Sequence, residues 1–320
     1  MNIRIKFMYD VIIIGSGPAG MTAGIFAARR EMKTLIIGRE LGGQLVWANE
    51  IENYPGFDTI KSFELINRIK NQTVNAGVEF KDDEVKKIEK TIDGNFLLYT
   101  SRETFEAKTV IISIGLSPRR LAASGEVEFV GRGVSYCANC DGPFYKGKNV
   151  AIIGGGNSAL DAAEFMSKIA KKVYLIHRNE SFKAFDVLVS EVHNRENIEI
   201  LFNTEIKNII GSNKVEKIQL INNKNKEEKE IVLDGVFVEV GRIASTDLVD
   251  EFVERNEKNQ IKVNAKMETK TLGMYAAGDV TDCEFKQIPV AMGQATIAAL
   301  SAYQYLQMLD DKRTPSSTMY

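Results

Sequence analysis

Short, almost uninterrupted apolar runs alternate with helical patterns at two places in the chain. Residues 9–14 and 34–37 flank an alanine-rich stretch, and residues 150–153 and 173–176 flank a second helical stretch. Apolar runs of this kind are typical of parallel strands that are buried on both faces. The pattern therefore predicts an α/β protein with two strand–helix–strand units.

Between and after these units the pattern changes. Residues 62–76 have the spacing of an amphipathic helix, with Ser62 as a possible N-cap. Residues 78–112 and 198–240 alternate as short strands, with hairpin turns at Asp93-Gly94 and in the charged stretch 222–230. Residues 297–306 form an apolar helical pattern near the end of the chain.

A glycine-rich turn follows the first predicted strand directly. It reads Gly15-Ser16-Gly17-Pro18-Ala19-Gly20, a GxGxxG pattern between a strand and a helix. Glycines in this context permit a tight turn and let backbone N–H groups approach a pyrophosphate at the helix N-terminus. The turn predicts a dinucleotide site. The acid expected at the end of the next strand is replaced by Gly38, and Glu40 is the candidate substitute.

The second unit repeats this arrangement with Gly154-Gly155-Gly156-Asn157-Ser158-Ala159. The same spacing separates Gly15 from Gly38 and Gly154 from His177, which supports a second dinucleotide site. His177 and Arg178 stand where an acid would select NAD, and Lys183 follows closely. Basic groups here suit a 2′-phosphate, so the sequence predicts NADP. The alternative is a solvated, charged strand end.

Composition and charge narrow the possible functions. The chain has 320 residues, a formal net charge of -2 and three cysteines. This charge provides no basic surface for nucleic acid or membrane lipid, and no apolar run approaches the roughly 20 residues of a membrane span. Few cysteines in a long chain indicate a reducing compartment, so we expect a cytoplasmic protein.

Two of the cysteines form a CxxC pair, Cys137 and Cys140, followed at once by Asp141. Such a pair is either a redox dithiol or half of a zinc site. Zinc needs about four ligands, and the sequence offers only one more cysteine and two histidines. We therefore expect no metal. A flavin bound in one nucleotide site would pass electrons from a nicotinamide to a disulfide, and an adjacent acid would move the proton of thiol–disulfide exchange.

The motifs together resemble those of low-molecular-weight, bacterial-type thioredoxin reductases, members of the FAD/NAD(P)-dependent pyridine nucleotide-disulfide oxidoreductases. The resemblance covers roughly residues 8–306. It rests on GSGPAG (15–20), GGQ (42–44), ENYPGF (52–57), GRGVSYCANCDG (131–142), GGGNSA (154–159), HR and FKA within 177–184, AAGDVTD (276–282) and KQI (286–288).

This resemblance implies a domain organisation and an activity. The FAD domain would be discontinuous, comprising residues 1–117 and 246–320, with an NADPH domain at 118–245 inserted into it. Electrons would pass from NADPH to FAD, to a Cys137–Cys140 disulfide, and then to oxidised thioredoxin or a thioredoxin-like protein. The inserted domain would rotate between the half-reactions, and the enzyme would be a homodimer.

The resemblance also implies roles for particular residues. Cys140 would be the sulfur nearest the flavin, Cys137 would attack the partner's disulfide, and Asp141 would be the acid. The remaining FAD residues would be Gly43, Gln44, Asn53, Gly278, Asp279, Lys286, Gln287 and Ile288. The NADPH residues would be Gly154, Gly156, Asn157, Ser158, Ala159, His177, Arg178, Asn179 and Lys183.

Among the departures from the family, two concern the predicted 2′-phosphate site. Asn179 and Lys183 stand where the family usually has arginines, and lysine lacks the planar guanidinium fork. The electron donor could therefore be NADH or ferredoxin, or the acceptor could be a different thioredoxin-like or peroxidase-type protein. A non-enzymatic flavin or nucleotide sensor is a third hypothesis, and the intact Cys137, Cys140 and Asp141 argue against it.

Overall fold

The computed structural model describes residues 8–47 and 50–309, apart from the side chains of Trp47 and Cys140. The described chain forms two compact units. The first unit contains the residues up to Ser117 and from Ile243 onward, and the second contains Pro118–Arg242. The second unit is therefore an insertion in the sequence of the first. The return to the first unit comes three residues before the boundary at 245 that the sequence suggests.

The first unit begins with a strand–helix–strand arrangement and continues with short strands. Its elements before the insertion are β1 (Met8–Ile14), α1 (Pro18–Ala28), β2 (Thr34–Ile37), β3 (Glu50–Ile51), β4 (Ile60–Lys61), α2 (Ser62–Asn75), β5 (Glu79–Lys81), β6 (Val85–Lys90), β7 (Phe96–Thr100) and β8 (Thr104–Ile112). The chain enters the second unit within β9 (Ser117–Pro118).

The second unit contains a second strand–helix–strand arrangement. Its elements are β10 (Val134–Ser135), α3 (Ala138–Asp141), β11 (Asn149–Ile153), α4 (Asn157–Ser167), β12 (Lys172–Ile176), α5 (Asp186–His193), β13 (Ile198–Leu201), β14 (Thr204–Gly211), β15 (Val215–Asn222), β16 (Glu228–Val232) and β17 (Gly235–Val238). The chain returns within β18 (Arg242–Ile243) and ends in the first unit with β19 (Met274–Ala276) and α6 (Ile288–Leu309).

Each unit has a parallel sheet at its centre. In the first unit the order is β5-β2-β1-β8-β7-β6, and β19 also pairs with β8. The strands β5, β2, β1, β8 and β19 run parallel, whereas β6, β7 and β8 form an antiparallel meander. In the second unit β10-β17-β11-β12-β13 is parallel throughout, and β14-β15-β16 forms a separate antiparallel sheet. The predicted α/β class with two Rossmann-like units is confirmed.

Small side chains bring two helices of the first unit together. The helices α1 and α6 share one buried cluster that contains Ala19, Ala23, Ala27, Ala295, Ala298, Ala299 and Ala302. Alanine loses no side-chain rotamer entropy on burial, and its size allows a close approach of two helix backbones. The alanine-rich sequence therefore serves packing as well as helix propensity.

Two details differ from the sequence-based expectations. Helix α6 begins at Ile288 and not near residue 297, because Pro289 is tolerated in a first helical turn and therefore does not end the helix. Ser62 is not an N-cap. The N-cap of α2 is Lys61, and the Ser62 hydroxyl donates instead to the carbonyl oxygen of Leu45.

Helix α6 is 22 residues long. Among the helices in residues 8–47 and 50–309, neither α6 nor any other combines the length and apolar character needed to cross a bilayer.

Candidate functional site

The first glycine-rich turn is possible only with glycine at two of its positions. Gly15 has a φ of +113°, and a Cβ there would lie 2.3 Å from the carbonyl oxygen of Ser113. A Cβ on Gly20 would lie 1.9 Å from the carbonyl oxygen of Gly15. The turn therefore packs closely against Ser113, which follows β8, and against the start of α1. The backbone is thus shaped by close packing, as the GxGxxG pattern predicts.

The N-terminus of α1 is open for an anion. Its N-cap is Gly17, which has no side chain to accept a hydrogen bond from the first turn, and Pro18 follows it. A Cβ on Gly17 would lie 3.8 Å from the Cα of Gly43, so the 42–43 turn crosses close to this helix end. The N–H groups of a first helical turn have no partner within the helix. With the helix dipole they form a site suited to phosphate.

Ser16 links this turn to the loop that follows β2. Its hydroxyl donates to the carbonyl oxygen of Glu40 at 3.0 Å, and its own carbonyl accepts the N–H of Gly42 at 2.9 Å. A Cβ on Gly38 would come within 2.7 Å of the Ser16 hydroxyl oxygen. Close packing against Ser16 therefore accounts for the glycine that replaces the expected acid.

A third loop, after β19, approaches the same helix end. Gly278 has a φ of +83°, and a Cβ there would lie 3.0 Å from the Cβ of Ala19 at the start of α1. Its N–H donates to the side-chain oxygen of Gln294 at 2.9 Å. The next residue, Asp279, accepts a hydrogen bond of 2.7 Å from the amide of Gln44. Three motifs distant in sequence thus meet at the N-terminus of α1.

Two further predicted flavin residues are also paired. The amide of Asn53 donates to the side-chain oxygen of Gln287 at 3.0 Å. Lys286 donates to the carbonyl oxygen of Thr281 at 2.6 Å. Burial lowers the pKa of Lys286, and the negative charge of Asp279 partly offsets this effect. Lys286 therefore lies within electrostatic reach of the Gln44–Asp279 pair.

The second glycine-rich turn repeats the arrangement in the second unit. Gly154 has a φ of +152°, and a Cβ there would lie 2.3 Å from the carbonyl oxygen of Glu239. Gly156 is the N-cap of α4, so this helix also begins without a side-chain cap. The side chain of Asn157 accepts the N–H of Phe185 at 2.8 Å, and the N–H of Lys183 donates to Gly155 at 2.7 Å. The 183–185 segment is thereby tied to the turn, and Ser158 and Ala159 follow in the first turn of α4.

His177 lies against this turn at the end of β12. Its side chain is 8% exposed, and a Cβ on Gly155 would lie 2.3 Å from its Nδ1. The Nε2 atom is buried without a hydrogen-bond partner. Burial lowers the pKa of His177, a hydrogen bond with the backbone of Ser181 partly offsets this, and the charges of Arg178 and Lys183 lower it further. The structure thus brings these three basic residues together beside the turn.

The surroundings of Asn179 are less basic. Asn179 is exposed, and its carbonyl oxygen accepts the N–H of Asn203 at 3.0 Å. The adjacent Glu180 forms an exposed ion pair with Lys224 at 2.7 Å. A carboxylate beside the basic group is unfavourable for a phosphate, and the pairing with Lys224 reduces this effect.

The CxxC segment begins directly after β10. The Ser135 hydroxyl accepts the N–H of Cys137 at 3.0 Å and lies 3.2 Å from its carbonyl oxygen, to which it donates. The Cys137 side chain is 7% exposed and disulfide-bonded. The prediction that the Cys140 sulfur lies nearest the flavin concerns a side chain outside those that the structure describes. Asp141 closes the turn by donating its N–H to the carbonyl oxygen of Cys137 at 3.2 Å. The pKa of Tyr145 is raised mainly by its own burial and secondly by the charge of Asp141.

The three features of the second unit lie at one edge of its sheet. The strands β10, β11 and β12 run parallel within this sheet and end at Ser135, Ile153 and Ile176. Cys137, Gly154 and His177 follow these strand ends. Ligands of open α/β sheets bind at the carboxyl ends of the strands, so this edge is the candidate site of the second unit.

Three polar residues near these sites are not apparent from the motifs. Glu126 is 1% exposed and accepts hydrogen bonds of 2.9 Å from the N–H groups of Leu121 and Ala122 and from the hydroxyl of Tyr136. Burial and Glu126 raise the pKa of Tyr136 to about 12. Since Tyr136 precedes Cys137, Glu126 supports the chain that leads to the CxxC segment. No pattern in the sequence around Glu126 signals this role.

The other two are Gln294 and Glu239. Gln294 accepts hydrogen bonds from Gly278 and, at 3.1 Å, from Thr281. Glu239 follows β17 at the sheet edge that carries Cys137. The sequence offered one signal for Glu239, which is an acidic residue placed directly after a buried strand.

The third cysteine is separate from the CxxC segment. Cys283 is a free, half-buried thiol, 3.8 Å from the carbonyl oxygen of Phe285. Within residues 8–47 and 50–309, no group of three or more His, Cys, Asp or Glu side chains is arranged to hold a metal ion.

Known proteins are similar to this chain in sequence and in fold. Residues 9–295 match the pyridine nucleotide-disulphide oxidoreductase family, and the chain belongs to that family. It is 37% identical to thioredoxin reductase of Bacillus subtilis (strain 168), over 95% of this chain and 96% of that protein.

Solved structures agree with this membership. The crystal structure of Lactococcus lactis thioredoxin reductase has a TM-score of 0.85 and 36% identity, covering 94% of this chain and 99% of that one. A ferredoxin-flavin thioredoxin reductase from Clostridium acetobutylicum has a TM-score of 0.52 and 35% identity, covering 94% and 99%. The resemblance to bacterial-type thioredoxin reductases that the motifs indicate is confirmed.

Proposed function

We propose that the protein is a thioredoxin-disulfide reductase that uses NADPH and FAD. The observation that carries the proposal is the disulfide-bonded Cys137 at the sheet edge that also holds the Gly154 turn and His177. A redox disulfide beside a nucleotide site is the arrangement that nicotinamide-driven thiol chemistry requires.

The first unit fits an FAD. The uncapped α1 N-terminus suits the pyrophosphate, and the Gln44–Asp279 pair offers a carboxylate and an amide to the hydroxyls of a polyol chain. When bound, the flavin would accept two electrons from the nicotinamide and pass them to the disulfide. The Asn53–Gln287 pair and Lys286 would line the flavin ring.

The second unit fits an NADPH. The α4 N-terminus suits the pyrophosphate, and the buried Nε2 of His177 is an unused hydrogen-bonding atom beside the turn. Arg178 and Lys183 supply positive charge for a 2′-phosphate. Lysine binds phosphate as a point charge, so the affinity would depend more on Arg178 than on Lys183.

We assign the thiol chemistry from the resemblance of the CxxC segment to that of bacterial-type thioredoxin reductases. Cys140 would be the sulfur nearest the flavin, and the Cys137 thiolate would attack the disulfide of thioredoxin. That attack forms a mixed disulfide and releases one thioredoxin sulfur, which takes a proton. Cys140 would then attack Cys137, restoring the disulfide and releasing the second sulfur. Asp141 would donate and accept the proton.

The function also implies an assembly and a motion. The protein would be a homodimer in the reducing cytoplasm, and the unit with the CxxC segment would rotate between the two half-reactions. Light scattering on the purified protein tests the dimer, and a monomer at micromolar concentration would contradict it.

The deciding experiment measures thioredoxin reduction with two nucleotides and two cysteine variants. Purified protein should be yellow, bleach under NADPH without oxygen, and reduce a bacterial thioredoxin faster with NADPH than with NADH. Cys137→Ser should keep the bleaching but lose thioredoxin turnover by at least about 10³-fold, because the attacking thiolate is gone. Cys283→Ser is the matched control and should keep full turnover. A colourless folded protein, or turnover retained by Cys137→Ser, would contradict the proposal.

A second candidate function is a flavin-dependent thioredoxin reductase that takes electrons from NADH or ferredoxin. The environment of Asn179 supports it, because Glu180 introduces a carboxylate where NADPH would place its 2′-phosphate. Thioredoxin turnover with reduced ferredoxin, but with neither nucleotide, would favour ferredoxin as donor. Equal rates with NADPH and NADH would mean that the site does not select the 2′-phosphate.

A further inference from the structure

We propose that Glu239 is a positioning residue for Cys137, which holds the backbone next to it and controls by its charge how readily the Cys137 sulfur ionises. The inference rests on the proposed function, in which Cys137 is the attacking thiol. Glu239 belongs to neither glycine-rich turn nor to the CxxC motif.

The sheet register places the two residues side by side. Strands β10 and β17 are parallel neighbours, with Val134 opposite Val236 and Ser135 opposite Phe237. Both chains continue past the same sheet edge. Two residues further along, this register brings Cys137 to the level of Glu239. Their proximity therefore follows from the backbone of the sheet.

A hydrogen bond joins the two segments. The Glu239 carboxylate accepts the N–H of Ala138, the residue bonded to the carbonyl carbon of Cys137. Standard bond lengths and a normal hydrogen bond place the carboxylate within roughly 5 Å of the Cys137 Cα. Ser135 holds the N–H of Cys137 itself. The CxxC segment is thus fastened by a hydroxyl before the cysteine and by a carboxylate after it.

The backbone of Glu239 is also held in place. Its N–H donates to the carbonyl oxygen of Ile153 at 2.8 Å, and its carbonyl oxygen packs against Gly154. The residue therefore cannot move away from the sheet edge without disturbing the glycine-rich turn. Its side chain, which is half-buried, reaches toward Ala138 from a fixed position.

Several charged groups surround this carboxyl. Burial raises the pKa of Glu239 to about 7; Arg242 and the Ala138 N–H lower it, and Asp161 of α4 raises it. Asp141 lies at the end of α3. The charges around Asp161 are those of Glu164, Glu191 and Lys168. The result is a carboxyl that changes its charge in the neutral pH range.

A change of charge at this distance affects the thiol. An ionised Glu239 disfavours a thiolate on Cys137, because two negative charges repel in a partly buried site. By the same coupling, a thiolate on Cys137 favours the protonated form of Glu239. As the pH rises through neutrality, a smaller fraction of Cys137 therefore becomes thiolate than would do so beside a neutral residue.

The test is the pH dependence of Cys137 alkylation in the reduced, full-length protein. Iodoacetamide labelling is followed from pH 5 to 9.5, and the label is assigned to Cys137 by fragmentation of its peptide. In wild-type protein, the plot of the Cys137 labelling rate against pH should show a break near pH 7, at a lower pH than the titration of the thiol itself. In Glu239→Gln, which is nearly isosteric, the break should disappear and labelling at pH 8 should be about 3- to 10-fold faster, since losing one charge at this range changes the thiol pKa by about half to one unit.

Two further variants complete the design. Glu196→Gln removes an exposed carboxylate from the same unit and should leave the wild-type profile unchanged. Asp161→Asn removes a charge that raises the pKa of Glu239, so the break should move to lower pH; this variant decides the question if Glu239→Gln does not fold. Superimposable profiles for wild type and Glu239→Gln, or a break that stays in place in Asp161→Asn, would overturn the inference.

The labelling uses neither nucleotide nor thioredoxin. Absence of thioredoxin turnover would therefore refute the proposed function while the break near pH 7 still supported the coupling. Unchanged labelling profiles would refute the coupling and leave the proposed function standing.

Discussion

At the scale of single residues, His177 is buried beside two cations, and both conditions favour its neutral form. Its pKa is lowered first by burial and then by Arg178 and Lys183. The unfolded chain, with a pKa near the ordinary 6.5, therefore binds a proton here at higher pH than the folded protein does. The stability that His177 contributes is fully present above the unfolded-state pKa. It is lost as the pH falls through the lower, folded-state pKa.

We predict that His177→Gln reduces the acid sensitivity of the fold. Between pH 7.5 and 5, the urea midpoint of unfolding should fall less in the variant than in wild type, because no buried imidazole has to be protonated. His193→Gln is the matched control, since the other histidine is exposed on α5. Parallel pH curves for His177→Gln and wild type would contradict this account.

At the scale of elements, Gly20 in α1 and Gly293 in α6 are two helical glycines with different structural surroundings. Gly20 lies in α1, where a Cβ would meet the carbonyl oxygen of Gly15 and the hydroxyl of Ser113. Gly293 lies in α6, where a Cβ would meet nothing within 4 Å. The first glycine is required by the turn, whereas the second lowers helix propensity without a packing role.

This difference predicts opposite effects of the same substitution. Gly20→Ala should destabilise the protein by about 1–3 kcal/mol through overpacking and weaken flavin retention. Gly293→Ala should stabilise it by up to about 1 kcal/mol, the difference between glycine and alanine inside a helix. Chemical unfolding and the ratio of flavin to protein after gel filtration check both. A Gly20→Ala protein with wild-type stability and flavin content would show that the turn can relax.

At the scale of the whole molecule, the chain forms two units that are each organised around a parallel sheet and a glycine-rich turn. Three motifs spread from Gly15 to Asp279 meet in the first unit, and the CxxC segment lies with the second turn in the other. The residues proposed to bind the FAD pyrophosphate and polyol chain lie in the first unit, and those proposed to bind NADPH lie in the second. Ligand binding should accordingly stabilise one unit more than the other.

Removal of the flavin tests this expectation. The apoprotein should unfold at a lower temperature, and FAD added at about 100 times its Kd should restore about 2.7 kcal/mol. Hydrogen exchange should slow on re-addition in peptides from the first unit, including those around Gln44 and Asp279. Equal protection of peptides from residues 118–242 would contradict the assignment of the flavin to the first unit.

The elements that the sequence predicts well are those with strong local signals. The buried strands β1, β2, β11 and β12 and the glycine-rich turns follow from apolar runs and from backbone positions that only glycine occupies. The predicted start of α6 and the predicted N-cap of α2 were wrong, because proline and serine can each occupy more than one position near a helix end. Local patterns cannot choose between those uses without the neighbouring elements.

The sequence by itself determined the fold class, the two glycine-rich turns and the presence of a CxxC pair, since each depends on residues close together in the chain. Only the tertiary structure decided what stands beside them. The Gln44–Asp279 bond, the unpaired Nε2 of His177 and the carboxylate of Glu239 next to Ala138 arise from contacts between segments far apart in sequence. Burial and neighbouring charge, which set the pKa values of His177 and Glu239, exist only after the chain has folded.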